Sequence, residues 1–181
     1  YYQGQQLNFI RKSQLSEFLS TIMDDIFSAT PVINNEAVNK NEVTNIVVNN
    51  RNKVVAALLR RDLEKNLGLK GSGQDVAIMR STLLRTWVLA QGENISPTLN
   101  LHTEKNPALA EVMQGMKKIL WDDIENKKIS FELIYDFLQN PDFHIGMRRG
   151  LIRIYLAVVL HIYRKGLLIS DSNGELPLNG D

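Results

Sequence analysis

The sequence predicts a mainly α-helical fold of about six or seven helices that closes on a C-terminal β-hairpin. Three observations carry this expectation. Long segments repeat apolar residues at helical spacing, proline, glycine and asparagine punctuate them, and a short extended stretch flanks an Asn-Gly pair near the end.

Taken in order, residues 1–12 are polar with scattered aromatics and read as a linker from something upstream. Ser13 is a plausible cap for a helix over 13–27, with Leu15, Phe18, Leu19, Ile22 and Ile26 on one side. Thr30-Pro31 stops it, because a residue before proline avoids the α region. A polar connection through Asn34-Asn35 and Asn39-Lys40-Asn41 leads to a helix predicted over 42–66. Val47, Val48, Val54, Val55, Leu58, Leu59 and Leu63 form its apolar stripe, and Arg51, Arg60, Arg61 and Lys65 are expected to face away from it. The β-branched run 44–48 weakens that helix locally. Residues 68–73, with three glycines, make a connector. A helix over 74–90 then buries Val76, Met79, Leu83, Leu84, Trp87 and Val88.

Residues 92–105, with Ser96-Pro97 inside, show the weakest ordering signal and mark a boundary between an N-terminal helical subdomain (13–105) and a C-terminal winged-helix-like subdomain (106–181). Asn106-Pro107 is a strong helix start, and that helix is predicted to reach residue 126. Ser130 caps the next one, with Ile129 and Ile134 placed as a hydrophobic staple, and Asn140-Pro141 ends it. A last helix over 149–165 precedes a hairpin of Leu167–Ser170, a turn at Asn173-Gly174, and 175–178. No repeat of fixed period is present. The predicted core comprises Leu19, Ile22, Val55, Leu59, Leu83, Trp87, Leu120, Leu133, Phe137, Ile152, Tyr155, Val159 and Ile162.

Composition narrows the function classes. An apolar fraction of 44% and a charged fraction of 23% are ordinary for a globular chain of 181 residues. A net charge of +1 gives no whole-domain attraction to nucleic acid, so any such attraction must be local. The absence of cysteine removes disulfides, thiolate chemistry and Cys-built zinc sites. No apolar run is long enough to span a bilayer, and no signal peptide is visible, which fits a cytoplasmic protein with no membrane partner. The start at Tyr1 suggests a piece of a longer protein.

The end of the chain carries the strongest functional signal. A helix, a basic helix and a hairpin in that order are the layout of a winged helix-turn-helix, a frequent nucleic-acid reader. Arg149, Arg153, His161, Arg164 and Lys165 fall within an arc of roughly 160° at 100° per residue, and Arg148 extends the patch. Between Phe143 and Ser170 there are five Arg or Lys and no Asp or Glu. A solvated helix face normally mixes both signs, although Arg164 and Lys165 also suit the negative end of the helix dipole.

Other candidates have blander explanations. Gly68, Gly71 and Gly73 around Lys70 lack the Gly-Lys-Ser/Thr and the preceding strand of a phosphate loop, and read as a helix cap and linker. His102, His144 and His161 are far apart and lack metal-ligand spacing. Asp122-Asp123-Ile124-Glu125 beside Trp121 diverges around a helix, so it reads as a solvated face balanced by Lys117, Lys118, Lys127 and Lys128. No catalytic constellation, metal or cofactor is expected in these residues.

Two segments together carry a resemblance. One runs from Leu15-Ser16-Glu17 through 30–36 (Thr30-Pro31-Val32-Ile33-Asn34-Asn35-Glu36), Asn39-Lys40-Asn41 and Arg51-Asn52-Lys53 to Leu67-Gly68-Leu69-Lys70-Gly71. The other has Glu132-Leu133, Leu138, Gly146-Met147-Arg148-Arg149-Gly150-Leu151-Ile152 and Tyr155-Leu156-Ala157. Their order resembles the helical, winged-helix-like region of large multidomain bacterial ATP-binding proteins of restriction or phage-defence loci, the BREX-type ATPases among them. The resemblance implies an ATPase parent whose Walker-type loop lies outside these residues. This chain departs from that pattern at 141–146, where Pro-Pro-(Tyr/Phe)-Gly is replaced, and at Arg153, which stands in place of a frequent proline and adds a charge to the basic face.

The expected function is therefore a non-catalytic module that binds double-stranded DNA within a larger defence ATPase. Arg148, Arg149, Arg153, Arg164 and Lys165 would meet phosphates, and the 172–174 hairpin tip would approach the backbone. The rival is a helical scaffold that docks on another domain or subunit of the same machine. The orientation of the basic face separates them: with Arg149, Arg153 and His161 covered by the preceding helices and paired with Asp122, Asp123 or Asp136 it is internal glue, and exposed in one continuous stripe it favours DNA.

Overall fold

In the computed structural model, residues 4, 6–40, 42–121 and 129–177 are described. They are mainly helical, with a small C-terminal antiparallel strand pair. Helix α1 (Lys12–Ile26) is followed by the single turn α2 (Glu36–Asn39) and by α3 (Asn45–Leu59). Next come a 3-10 turn (Lys65–Gly68) and α4 (Gln74–Met79), which runs into a π-turn (Arg80–Leu84). Strands β1 (Leu89–Ala90) and β2 (Thr98–Leu99) pair antiparallel, Leu89 opposite Leu99 and Ala90 opposite Thr98. Helices α5 (Pro107–Trp121), α6 (Phe131–Gln139) and α7 (Arg149–Tyr163) lead to β3 (Ile169–Asp171) and β4 (Gly174–Leu176).

The hub of the molecule is α7, which packs against α2, α3, α5 and α6. Gly150 to Ile152 and Ile154 to Leu160 are all buried, so the helix is enclosed on nearly every side. Tyr155 is fully buried at its centre, and its hydroxyl donates to the Thr82 carbonyl at 2.8 Å. That carbonyl lies inside the π-turn, where the helical hydrogen-bond ladder slips from i+4 to i+5: the Arg85 amide donates to the Arg80 carbonyl. The Thr86 hydroxyl also donates to Thr82 at 2.6 Å, so two side chains satisfy the group that the slip displaces.

Two of the predicted helix starts hold, whereas Ser13 does not cap α1: it lies inside the first turn of that helix, whose N-terminal flanking residue is Arg11. The Asn106 side chain accepts from the Leu109 amide, and the Ser130 hydroxyl accepts from Glu132. Helix α6 ends before Asn140-Pro141 as expected. In the hairpin, the Asp171 carboxylate accepts from the Asn173 amide at 2.7 Å and shapes the turn before Gly174. The expected reach of α5 to residue 126, the acidic stretch 122–125, Lys127, Lys128 and the end of the hairpin at 178 lie outside the described residues.

Three expectations are corrected. The helix predicted over 42–66 occupies only Asn45–Leu59, because Arg60 turns to extended backbone and Asn66 and Leu67 adopt left-handed conformations. Leu67 is buried there, and its burial offsets the cost of the conformation. The helix predicted over 74–90 ends at Leu84, the last residue of the π-turn, and residues 85–87 form a turn closed by Trp87, which is left-handed with φ 61° and 54% exposed, with the Lys105 ammonium 4.1 Å from its ring centroid. The chain beyond it enters the β1–β2 pair instead. Leu101 and Thr103 of the segment expected to be loosely ordered are buried, and the Thr103 hydroxyl donates to the Thr86 carbonyl.

The core is a continuous cluster of residues from Ile33 to Leu160. Of the predicted core, Leu83, Leu120, Ile152, Tyr155 and Val159 are buried. Val55, Leu59, Phe137 and Ile162 pack against it half-buried. Leu19, Trp87 and Leu133 are exposed instead, and Ile22 is half-buried. Helix α1 buries none of its residues.

Candidate nucleic-acid interface

The basic residues of α7 divide into two groups, because neighbouring elements cover one end of the helix more than the other. At the N-terminal end, Arg148, Arg149 and Arg153 are exposed. Arg149 Nε donates to Gln139 Oε1 at 3.2 Å, and its guanidinium lies 5.6 Å from the centroid of the Tyr135 ring. Arg153 Nε donates to the Tyr135 hydroxyl at 3.4 Å. Both arginines are thus laid against α6 by neutral partners. Residues 149 and 153 are one helical turn apart, which places their charges side by side.

At the C-terminal end the same stripe turns into the fold. His161 Nδ1 is 2.6 Å from the Leu58 carbonyl, and Arg164 Nη1 donates to the Arg60 carbonyl at 2.9 Å. These two carbonyls belong to the end of α3, whose last groups have no partner within the helix, so His161 and Arg164 cap it. Lys165, next along, is exposed. Of the five predicted contact residues, Arg148, Arg149, Arg153 and Lys165 stand at the surface, whereas Arg164 is half-buried and committed in part to structure.

Charge pairing bears on the choice between glue and surface. The ion pairs among the described residues, Lys53 with Asp75 and Arg60 with Glu64, involve neither Arg149 nor Arg153. Asp136, a predicted partner, is exposed on α6 and forms no ion pair with them among the described residues. Asp122 and Asp123, the other two, lie outside the described residues.

A further arginine belongs to this region and was misassigned by periodicity. Arg51 is 5% exposed and occupies the buried stripe of α3 together with Val47, Val54, Ala57 and Leu58. Its Nη2 donates to Asn52 Oδ1 at 3.0 Å, while its buried Nε has no partner among the described residues. Burial holds its pKa below the ordinary arginine value, and the nearby Arg153 charge acts in the same direction. The signal was present in the sequence: 47, 51, 54 and 58 share one helical face, and Arg51 stands at an inward position of it.

The remaining candidates stay apart. His102 faces Gln114, His144 faces the Ile26 carbonyl and His161 faces Leu58, so the three histidines do not converge. Among the described residues no group of three His, Cys, Asp or Glu could hold a metal ion, and no helix is long and apolar enough to cross a membrane. An open cleft of about 680 Å³ lies between the end of α1, segment 30–33 and Gly146 to Arg148. Its hydroxyls, Ser28 and Thr30, have no histidine beside them in the lining, and the Thr30 hydroxyl accepts from the Gly146 amide at 2.7 Å. In comparisons with protein-family models, curated proteins and solved structures, the chain matches none.

Proposed function

We propose that the chain is a non-catalytic module that binds the phosphate backbone of double-stranded DNA, as part of a larger bacterial defence-associated ATPase whose nucleotide chemistry resides elsewhere. The observation that supports this most is the exposed pair Arg149 and Arg153, one turn apart and oriented by Gln139 and Tyr135 without an acidic partner among the described residues. Arginines held by neutral groups keep their full charge for an incoming anion. Because α7 is buried along most of its length, this mode excludes a recognition helix inserted into the major groove. Contacts to phosphates position a protein without reading bases, so the module binds DNA with little sequence choice.

Duplex binding by the chain at two salt concentrations tests the reading. If Arg149, Arg153 and Lys165 meet about three phosphates, affinity falls roughly forty-fold between about 50 and 200 mM salt. The double variant Arg149→Glu/Arg153→Glu loses most of the affinity and flattens the salt slope. Salt-independent binding, or an unaffected double variant, rejects the proposal.

A second reading, a scaffold that docks on another domain or subunit, is favoured by α1. Leu15, Leu19 and Met23 lie along its apolar side and are all exposed. A helix with this pattern ordinarily buries that side against something.

A further inference from the structure

We propose that the apolar side of α1 is a dimerisation surface on which a second copy of this chain docks antiparallel. The proposal rests on the scaffold reading and deepens it by naming the subunit that covers the helix.

Among the described residues no other helix or strand packs along α1, and none of its side chains is buried. At 100° per residue, Leu15, Phe18, Leu19, Ile22, Met23 and Ile26 share an arc of roughly 140°. Phe9 folds back on the edge of this face, its ring centroid 5.3 Å from that of Phe18, and widens the apolar surface. Leu15, Leu19 and Met23 remain 40% to 51% exposed. An apolar face this continuous marks an interaction surface.

The charges around the face select a second copy. Arg11, Phe18 and Asp25 are spaced by seven residues, two helical turns, and so lie on one line along its edge. Arg11 and Asp25 are exposed, and neither forms an ion pair among the described residues. Basic Arg11 and Lys12 stand at the N-terminal end and acidic Asp24 and Asp25 at the C-terminal end, the reverse of what the dipole of their own helix favours. Their placement therefore gains α1 nothing by itself. An antiparallel pair centred near Phe18 sets Leu15 of each copy against Ile22 of the other. It also brings Arg11 of each copy beside Asp25 of the other, at both ends at once. A parallel pair would oppose like charges. Self-complementarity of this kind is what a two-fold interface requires.

Shape supports the same arrangement. Ile10, 92% exposed, precedes the helix and in this pairing faces Ile26 and Phe27 of the other copy. There the open cleft of about 680 Å³ begins, lined by Met23 and Phe27. A projecting apolar side chain at one end thus meets a recess at the other. A helix of 15 residues gives a contact only about 22 Å long, so the dimer belongs to the weak class, with a Kd of about 10–100 µM.

Analytical ultracentrifugation of the chain between about 5 and 500 µM tests the proposal, with the average mass expected to climb from monomer toward dimer. Leu19→Glu, a change at an exposed position, keeps the chain folded and monomeric throughout. Asp25→Arg weakens the dimer about tenfold, because both symmetric contacts turn repulsive. It also suits the dipole of its own helix, so lost helicity does not account for the defect. The exchange Arg11→Asp/Asp25→Arg restores association. A mass that does not rise with concentration overturns the proposal, as does a rise that Leu19→Glu leaves unchanged. A defect in Asp25→Arg that the double exchange fails to repair overturns the antiparallel pairing. Hydrogen exchange on the chain at about 5 µM, below the dimer Kd, separates this idea from the scaffold reading. A chain monomeric at every concentration whose α1 amides exchange freely rejects the second copy and leaves α1 to a different subunit. Protected α1 amides in such a monomer reject the docking reading as well.

Discussion

His161 shows how one residue of a basic stripe can be diverted from a ligand to the fold. Its Nδ1 faces the Leu58 carbonyl, and burial pushes its pKa below the ordinary 6.5. The Arg164 charge acts in the same direction, while the backbone carbonyls and Asp62 oppose it without prevailing. Above that ordinary value the ring is neutral in both folded and unfolded chains. As pH falls through it, the unfolded chain takes up the proton first, so stability declines until the lower folded pKa is reached. Urea unfolding at about pH 7.5 and about pH 5.5 checks this. His161→Gln keeps an amide donor for Leu58 and loses less stability on acidification than the natural chain. Equal losses in the two proteins would show that the ring does not carry the effect. Arg51 teaches the complementary lesson at this scale: a charged residue at an inward helical position reads as polar surface unless its phase is checked against its neighbours.

At the scale of elements, α2 and α7 approach so closely that a single atom decides the fit. A Cβ on Gly150 would stand 2.9 Å from the Val38 carbonyl oxygen, a backbone atom that moves only with its turn. Alanine favours a helix interior over glycine by about 1 kcal/mol, but overpacking against fixed atoms costs about 1–3 kcal/mol. Gly150→Ala is therefore expected to destabilise by about 1 kcal/mol on balance, measured by chemical denaturation. A stabilised variant would mean that α2 yields freely. Gly115 of α5 offers a contrast, since its added Cβ would meet the Phe137 ring at 2.6 Å. Phe137 is a half-buried side chain that can rotate, so the same substitution is better tolerated there.

The elements also show which signals were readable. Capped starts at Asn106 and Ser130, the stop at Asn140-Pro141 and the Asn-Gly hairpin were legible because each rests on contacts within a few residues. The early end of α3, the π-turn and the β1–β2 pair were not. They depend on partners distant in sequence: Gln91 for the Asn66 amide, Tyr155 for the Thr82 carbonyl, and Thr103 for the Thr86 carbonyl. The candidate site divides the same way. Arg149 and Arg153 were visible as a charged face, but their contacts with Gln139 and Tyr135 arise from the packing of α7 against α6.

Across the whole molecule, stability is concentrated around α7 and thins toward α1. Residues 26–30 tie α1 to the α6–α7 connection through the Ala29 amide to the His144 carbonyl, His144 Nδ1 to the Ile26 carbonyl, and Thr30 to Gly146. Upstream of that tie, α1 contributes no buried side chain, whereas Val54 and Leu58 of α3 are fully buried. Truncating Leu58 to alanine should therefore cost about 2–5 kcal/mol, as for large-to-small changes in a packed core. Leu19→Ala, on a half-exposed surface, should change stability by less than about 0.5 kcal/mol, although it lies on an equally apolar helical stripe. Native-state hydrogen exchange adds a second readout. Amides of α1 should exchange through local opening, and those of α7 should exchange at or near the global unfolding free energy. If Leu19→Ala proved as damaging as Leu58→Ala, or if α1 amides were protected like those of α7, α1 would belong to the core of the isolated chain. Its apolar side would then no longer favour a docking partner, and the scaffold reading would lose its support.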